Sequence, residues 1–382
     1  MKVGCIRECR TGETRVAVSP ETAGKFCALG AEVLVESGAG GESLFPDEAY
    51  AKVGASVLGS APEILTQADL LLKVRAPEEK ELRTMKKGAA LVGILEPNGT
   101  PGPRAYAEAN ITAFAMEFAP RITRAQSMDV LSSQANLAGY KAVLEASTHY
   151  PRMFPMMMTA AGAIAPARVF VMGVGVAGLQ AIATAKRLGA IVSATDVRAA
   201  TKEQVESLGA TFVTVEDVDA GDSETEGGYA KEASEEYRRA QEKVVREHIA
   251  KQDIVITAAF VPGRPAPKLV TREMLSSMRD GSVIMDLAVE QGGNCEGSQA
   301  GEVVVEQGVK LVGLRNMAGR LPADASALYA RNLFAFSGLL LQGEEGAKVF
   351  APDWEDEIVQ ATLLTRDGAV VHPNFQTGKG AA

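Results

Sequence analysis

A chain of 382 residues, 46% hydrophobic and 23% charged, has the make-up of a soluble globular protein and the length of two domains. With 39 Lys+Arg against 48 Asp+Glu, its net charge of -9 argues against nucleic acid or an anionic membrane surface as a direct partner. Cys5, Cys9, Cys27 and Cys295 show no paired C-x-x-C spacing and read as reduced thiols in a cytosolic protein, not as a disulfide frame or a zinc site. The first residues, Met1-Lys-Val-Gly-Cys-Ile-Arg-Glu8, lack the apolar core of a signal peptide, and the apolar stretch 333–341 is too short to span a bilayer.

Strand-like and helix-like segments alternate almost throughout, which predicts parallel sheets with helices on both faces. The N-terminal half reads as a strand over 2–6, a helix over about 20–29 and a strand over 31–35, with further buried strands at 70–74, 89–95 and 111–115. This half has no glycine fingerprint, so it is Rossmann-like in pattern without an expected grip on a pyrophosphate. A helix over 127–145, with Met128, Leu131, Leu137, Tyr140, Val143 and Leu144 as its apolar residues, is placed to connect two domains. The run Pro155-Met156-Met157-Met158 reads as adaptable core packing.

The most informative segment follows. Arg168-Val-Phe-Val-Met172 reads as a short buried strand, Gly173-Val-Gly175-Val176-Ala-Gly178 as a glycine turn, and 177–188 as a helix. The next strand, 190–195, ends on Asp196. Gly173 allows a tight turn, Gly175 lets the backbone approach a pyrophosphate, and Gly178 lets helix pack on strand. The helix start offers free N–H groups to phosphate oxygens. Asp196 can accept hydrogen bonds from ribose hydroxyls and would repel a 2′-phosphate, which favours NAD, although Arg198 close by can also serve NADP. A helix packed closely on a sheet with no ligand is the plainer alternative.

Later strands are expected at 211–215, 253–258, 282–287 and 309–314. Between them, 216–226 holds Glu216, Asp217, Asp219, Asp222, Glu224 and Glu226 without a base, followed by Gly227-Gly228-Tyr229. A solvated linker is one reading; a lid hinged at the glycines, with Tyr229 folding onto a ligand, is the other. The residues after about 321, including a helix over 325–341, are expected to return to the first domain. The expected architecture is α/β: two Rossmann-like domains, each a mainly parallel sheet flanked by helices, with a cleft between them. The first domain takes 1–131 plus 321–382 and the NAD-binding domain 132–320.

Four segments resemble the NAD(H)-binding component of proton-translocating nicotinamide nucleotide transhydrogenases: Gly12-Glu-Thr-Arg15-Val-Ala-Val-Ser-Pro20; Arg121-Ile-Thr-Arg-Ala-Gln126-Ser-Met-Asp129-Val-Leu-Ser132-Ser-Gln-Ala-Asn136; Val174-Gly-Val-Ala-Gly178-Leu-Gln-Ala-Ile-Ala-Thr-Ala-Lys-Arg-Leu-Gly189; and Gly227-Gly-Tyr-Ala-Lys-Glu232. The second and fourth are particular to transhydrogenases, whereas the first and third are shared with alanine dehydrogenases. The resemblance implies hydride exchange of the Re/Si-specific type between NADH bound here and NADP+ on a partner subunit, coupled to proton movement through a separate membrane subunit. It implies that Arg121, Asp129 and Ser132 contact the carboxamide and nearby ribose, with Ile122, Thr123 and Arg124 in the same cofactor-binding loop, and that Gln126 reaches toward the second nucleotide. Around the other half, Gly173, Gly175, Val176 and Gly178 would lie at the pyrophosphate. Asp196, Val197 and Arg198 would surround ribose and adenine, Ala258 and Phe260 would lie at the carboxyl edge of the sheet, and Gly228 and Tyr229 would belong to the closing loop. On their own residues, Ser127 or Asp129 would simply cap a helix.

The rival is a soluble alanine dehydrogenase, whose family uses a substrate-binding arginine and lysine, a catalytic histidine and an aspartate near Gln-Gly-Gly. Here Arg15 is present and Lys73 or Arg75 could supply the cation, but Val92-Gly-Ile-Leu95-Glu96-Pro97 holds no histidine, and Glu290 stands before Gln291-Gly292-Gly293. Amino-acid oxidation needs a proton acceptor beside the hydride acceptor, and hydride exchange between nicotinamides does not. His149, His248 and His372, the chain's three histidines, suit surface or structural roles. By the same resemblance, the expected setting is a homodimer in the cytoplasm, peripheral to the inner membrane through its partner subunits, with no metal. The end at Ala382 fits the separate subunit of a three-polypeptide form.

Overall fold

The computed structural model describes residues 1–215, 235–259, 265–344 and 346–376. They form two compact units, Met1–Gln134 with Gly319–Ala382, and Ala135–Ala318.

In the first unit, six parallel strands lie side by side in the order Ser56–Leu58, Glu32–Glu36, Lys2–Cys5, Leu70–Arg75, Ala90–Ile94 and Thr112–Ala115. Leu363–Arg366 pairs antiparallel with Thr112–Ala115, and Ala369–Val370 forms the edge. Leu70, Leu71, Leu72 and Val74 are all buried. An unbroken apolar run of this kind belongs to a sheet covered on both faces, where alternation has no solvent side to serve. Two clusters form the core, one around Val3, Val33, Leu72, Tyr329 and Phe336, the other around Ile64, Leu71, Leu91 and Tyr106. Helix Pro20–Ala28 starts where Ser19 and Thr22 exchange side-chain and backbone hydrogen bonds in a capping box, with Pro20 at the first helical position.

The second unit has the same strand order. Thr211–Phe212, Ile191–Thr195, Arg168–Met172, Ile254–Thr257, Val283–Asp286 and Val309–Val312 are parallel neighbours, and Val303–Glu306 adds an antiparallel edge. In both units the chain winds outward from the first strand, then returns to build the other half of the sheet. The order therefore reverses beside the first strand, the place where open α/β sheets bind ligands.

Three expectations do not hold. The single helix over 127–145 is two elements: a 3₁₀ helix, Thr123–Met128, and an α-helix, Val130–His149. Asp129 between them has φ -73 and ψ 88, outside helical geometry. The methionine run is not core. Met157–Thr159 and Gly162–Ile164 make an isolated hairpin, with Met156 64%, Met157 39% and Met158 78% exposed. Thr159 Oγ1 accepts the Ala161 N–H at 3.1 Å, and Gly162 has φ 128, so the chain reverses before it meets either large sheet. The strand expected over 211–215 stops at Phe212. The acidic run 216–226 and its glycine hinge lie outside the described residues.

Candidate functional site

At the switch point of the second unit, strand Arg168–Met172 ends in Gly173, which has φ 96. That left-handed conformation favours glycine, and space demands it too: a Cβ here would meet Ala258 C and Ala259 N at 2.9 Å. A Cβ on Gly178 would overlap the Gly173 carbonyl oxygen, so the helix start presses against the turn. Gly175 differs. A Cβ there would meet no protein atom within 4 Å, so the fold itself gives no steric reason for glycine. Helix Val176–Arg187 begins just after it with no side-chain cap, leaving backbone N–H groups and the positive dipole end for an anion. These features fit a pyrophosphate.

Asp196 closes the turn from the next strand. Its Oδ2 accepts the Val174 N–H at 2.6 Å and Arg198 Nη2 at 2.9 Å, and its Oδ1 accepts Arg198 N and Nε at 2.9 Å each. Burial pushes its pKa up, but the Arg198 hydrogen bonds and charge outweigh that and hold it below the ordinary carboxyl value. A carboxylate has about four lone-pair sites, and all four are engaged here. A ribose hydroxyl must therefore displace part of the Arg198 fork. Val197 is half-buried beside this pair, and Val176 is 36% exposed at the helix start. Ala258 continues strand Ile254–Thr257 with its N–H on the Met172 carbonyl at 2.8 Å. Phe260, Gly228 and Tyr229 lie outside the described residues.

In the first unit, the Asp129 carboxylate accepts the Ser132 N–H at 2.8 Å and the Ser132 hydroxyl at 2.5 Å, capping the long helix. The two residues are thus brought together and fixed. Arg121, Thr123 and Gln126 are exposed, and Ile122 is half-buried. Arg124 instead pairs with Asp356 at 2.5 Å and Glu357 at 3.3 Å, at the start of helix Glu357–Thr362. Sequence reasoning missed Asn332, which holds this loop from below. Its Nδ2 donates to the Ser127 carbonyl at 2.7 Å, and its Oδ1 accepts the Ser133 hydroxyl at 2.7 Å. A buried asparagine within the apolar helix Pro322–Leu340 was the available signal.

The cations that could hold a carboxylate substrate are spoken for. Arg15, 4% exposed, forks onto Glu13 at 2.7 and 2.6 Å and donates to Gln134 Oε1 at 2.9 Å. Arg75 bridges Glu13 at 2.8 Å and Glu96 at 2.9 Å, and Arg10 takes the rest of Glu96. Lys73, fully buried, lies between Glu8 at 3.3 Å and Glu81 at 3.5 Å. Burial raises the Glu13 pKa, yet Arg15 and Arg75 overcome this and bring it down to about 2. The histidines are packed elsewhere: His248 against Ser193 at 2.7 Å and Phe170, His372 against Phe118 and Phe375, and His149 at the end of the long helix. Glu290 is exposed and accepts the Asn316 N–H at 3.0 Å. Among the described residues no helix is long and apolar enough to cross a membrane, and no group of histidine, cysteine and carboxylate side chains could hold a metal.

Comparison with known proteins covers both units. Residues 4–138 match the N-terminal domain of the alanine dehydrogenase/PNT family, and residues 142–373 match its C-terminal domain. The chain is 53% identical, over the full length of both, to the first of the polypeptides that make up the NAD(P) transhydrogenase subunit alpha of Rhodospirillum rubrum. Among solved structures, a transhydrogenase from Sinorhizobium meliloti superposes with a TM-score of 0.88 at 53% identity, covering 97% of this chain and 100% of that one. An L-alanine dehydrogenase superposes with a TM-score of 0.80 at 25% identity, covering 98% of each.

Proposed function

We propose that this chain, which belongs to the alanine dehydrogenase/PNT family, is the NAD(H)-binding subunit of a proton-translocating transhydrogenase. Hydride passes between NADH held here and NADP+ held on a partner subunit, and proton movement belongs to a separate membrane subunit. The observation that carries this choice over amino-acid oxidation is the occupied state of Arg15, Lys73 and Arg75. Each is already neutralised by an internal carboxylate, and none is paired with a histidine that could accept a proton. A substrate carboxylate would have to break buried ion pairs to bind there.

Bound NADH supplies the hydride. The protein's role is positioning, because the exchange moves no substrate proton. Gly173, Gly175, Val176 and Gly178 cradle the pyrophosphate, while Asp196, Val197 and Arg198 hold ribose and adenine. Arg121, Asp129 and Ser132 orient the carboxamide end, with Ile122, Thr123 and Arg124 in the same loop. Asp129 and Ser132 suit this because their mutual bond fixes both side chains before any ligand arrives. Gln126, exposed, faces the second nucleotide. Ala258 and Phe260 form the sheet edge, and Gly228 and Tyr229 close over the ligand. The subunit works as a homodimer on the cytoplasmic side of the membrane, and the apolar hairpin bearing Met156 to Met158 is a described surface such pairing would cover.

The test mixes the full chain with the NADP-binding partner subunit, NADH and an oxidised NADP analogue. Hydride transfer requiring both proteins is expected. No transfer at saturating nucleotide overturns the proposal, and alanine-dependent NADH formation by this chain alone would replace it with the dehydrogenase reading.

A further inference from the structure

Asn294 has no role in the chemistry above, yet it is fully buried and its side chain is used completely. Its Oδ1 accepts the Ala259 N–H at 3.2 Å. Its Nδ2 donates to the Ala259 carbonyl at 2.7 Å and to the Pro267 carbonyl at 2.8 Å. The ladder between Ile254–Thr257 and Val283–Asp286 ends at the pair Thr257 and Asp286. Asn294 thus supplies one further rung, gripping both polar groups of Ala259 where no strand neighbour remains.

The residue is itself held. Its N–H donates to Asp286 Oδ1 at 3.1 Å, and Asp286, fully buried, also accepts the Ala288 and Cys295 N–H groups at 3.0 Å each and the Thr257 hydroxyl at 3.3 Å. On the other side, the Ala258–Ala259 peptide packs directly on Gly173. Asp286, Asn294, Ala259 and the glycine turn therefore form one connected support. The strand order puts Asp196 on one side of the switch point and Ala258–Ala259 on the other. A dinucleotide laid across that point has its adenosine over the first and its second nucleoside over the second.

We propose that Asn294 is a positioning residue that fixes the Ala258–Ala259 peptide as the support for the nicotinamide-ribose half of the dinucleotide. The role rests on the dinucleotide reading given above. In the full-length chain, Asn294→Ala raises the Kd for NADH about tenfold and that for 5′-AMP less than about twofold, because only the longer ligand reaches Ala259. Equal weakening of both ligands, or of neither, overturns the role of Asn294. Absence of NADH binding by the unaltered chain overturns the dinucleotide reading itself, which is a separate result. Should the variant fail to fold, amide exchange in the unaltered, nucleotide-free chain decides. Slow exchange at Ala259 is expected, and exchange at the rate of an unstructured amide refutes a preformed clamp.

Discussion

The two units share a strand order and use its reversal point in opposite ways. In the second unit the first strand runs into Gly173, Val174 and Gly175, and the backbone there is bare. In the first unit the first strand runs into Ile6, Arg7 and Glu8. The Glu8 carboxylate accepts the Val74 N–H at 2.7 Å and pairs with Lys73 at 3.3 Å, so a side chain fills the crevice. Farther along the same edge, Glu117 accepts the N–H groups of Leu95 and Glu96 at 3.1 and 2.6 Å. Topology makes the crevice; residue type decides whether it receives a ligand or is sealed by the protein's own carboxylates.

Removing the plug should do the most damage. Lys73→Met leaves Glu8 and Glu81 buried without their cation and is expected to cost about 3–5 kcal/mol in urea unfolding. Adding Glu8→Gln and Glu81→Gln should recover most of it. An unchanged midpoint for the single variant would show that the first unit's crevice is not held by this pair.

Glu117 gives the next effect, through pH. Burial, opposed by its backbone hydrogen bonds, raises its pKa from 4.5 to about 7. A group with a raised folded pKa contributes stability that is full below its unfolded pKa and is lost as pH rises through the folded one. The loss should therefore fall between pH 4.5 and about 7 and amount to on the order of 3 kcal/mol. Glu117→Gln should flatten that slope, and equal slopes in both proteins would remove Glu117 from the account.

The glycine turn gives the sharpest contrast at the smallest stability cost. Gly175→Ala meets no protein atom and should leave the melting temperature within about 2 °C, while the Kd for NADH rises roughly tenfold because the Cβ enters the ligand's space. Gly178→Ala, whose Cβ collides with the Gly173 carbonyl, should lower the melting temperature as well. Equal behaviour of the two variants would break the distinction between a glycine needed for packing and one left for a ligand.

The parallel sheets were legible in sequence because strands covered on both faces appear as unbroken apolar runs, as at Leu70 to Leu72 and Val169 to Met172. The turn was legible because glycine spacing and Asp196 report backbone demands directly. Partnerships were not. Sequence singled out Arg15, Lys73 and Arg75 as cations open to a substrate, and nothing local shows that Glu8, Glu13, Glu81 and Glu96 neutralise them. Arg75 and Glu13 are 62 positions apart. Apolar periodicity ran straight through Asp129, because a capping residue interrupts a helix without interrupting its hydrophobic face. The methionines were misplaced because residue type alone was taken to mean burial. Asn294, Asp286 and Asn332 left almost no trace, since a buried polar side chain acts through backbone groups that sequence patterns do not display.

The exposed hairpin carries one more consequence. Thioether sulfurs at Met156, Met157 and Met158 face outward, while Met116, Met172, Met274 and Met285 are sealed in the cores. Peroxide would thus convert the hairpin to sulfoxides first, turning an apolar edge into a polar one while leaving both sheets intact, and sulfoxide reductases could restore it.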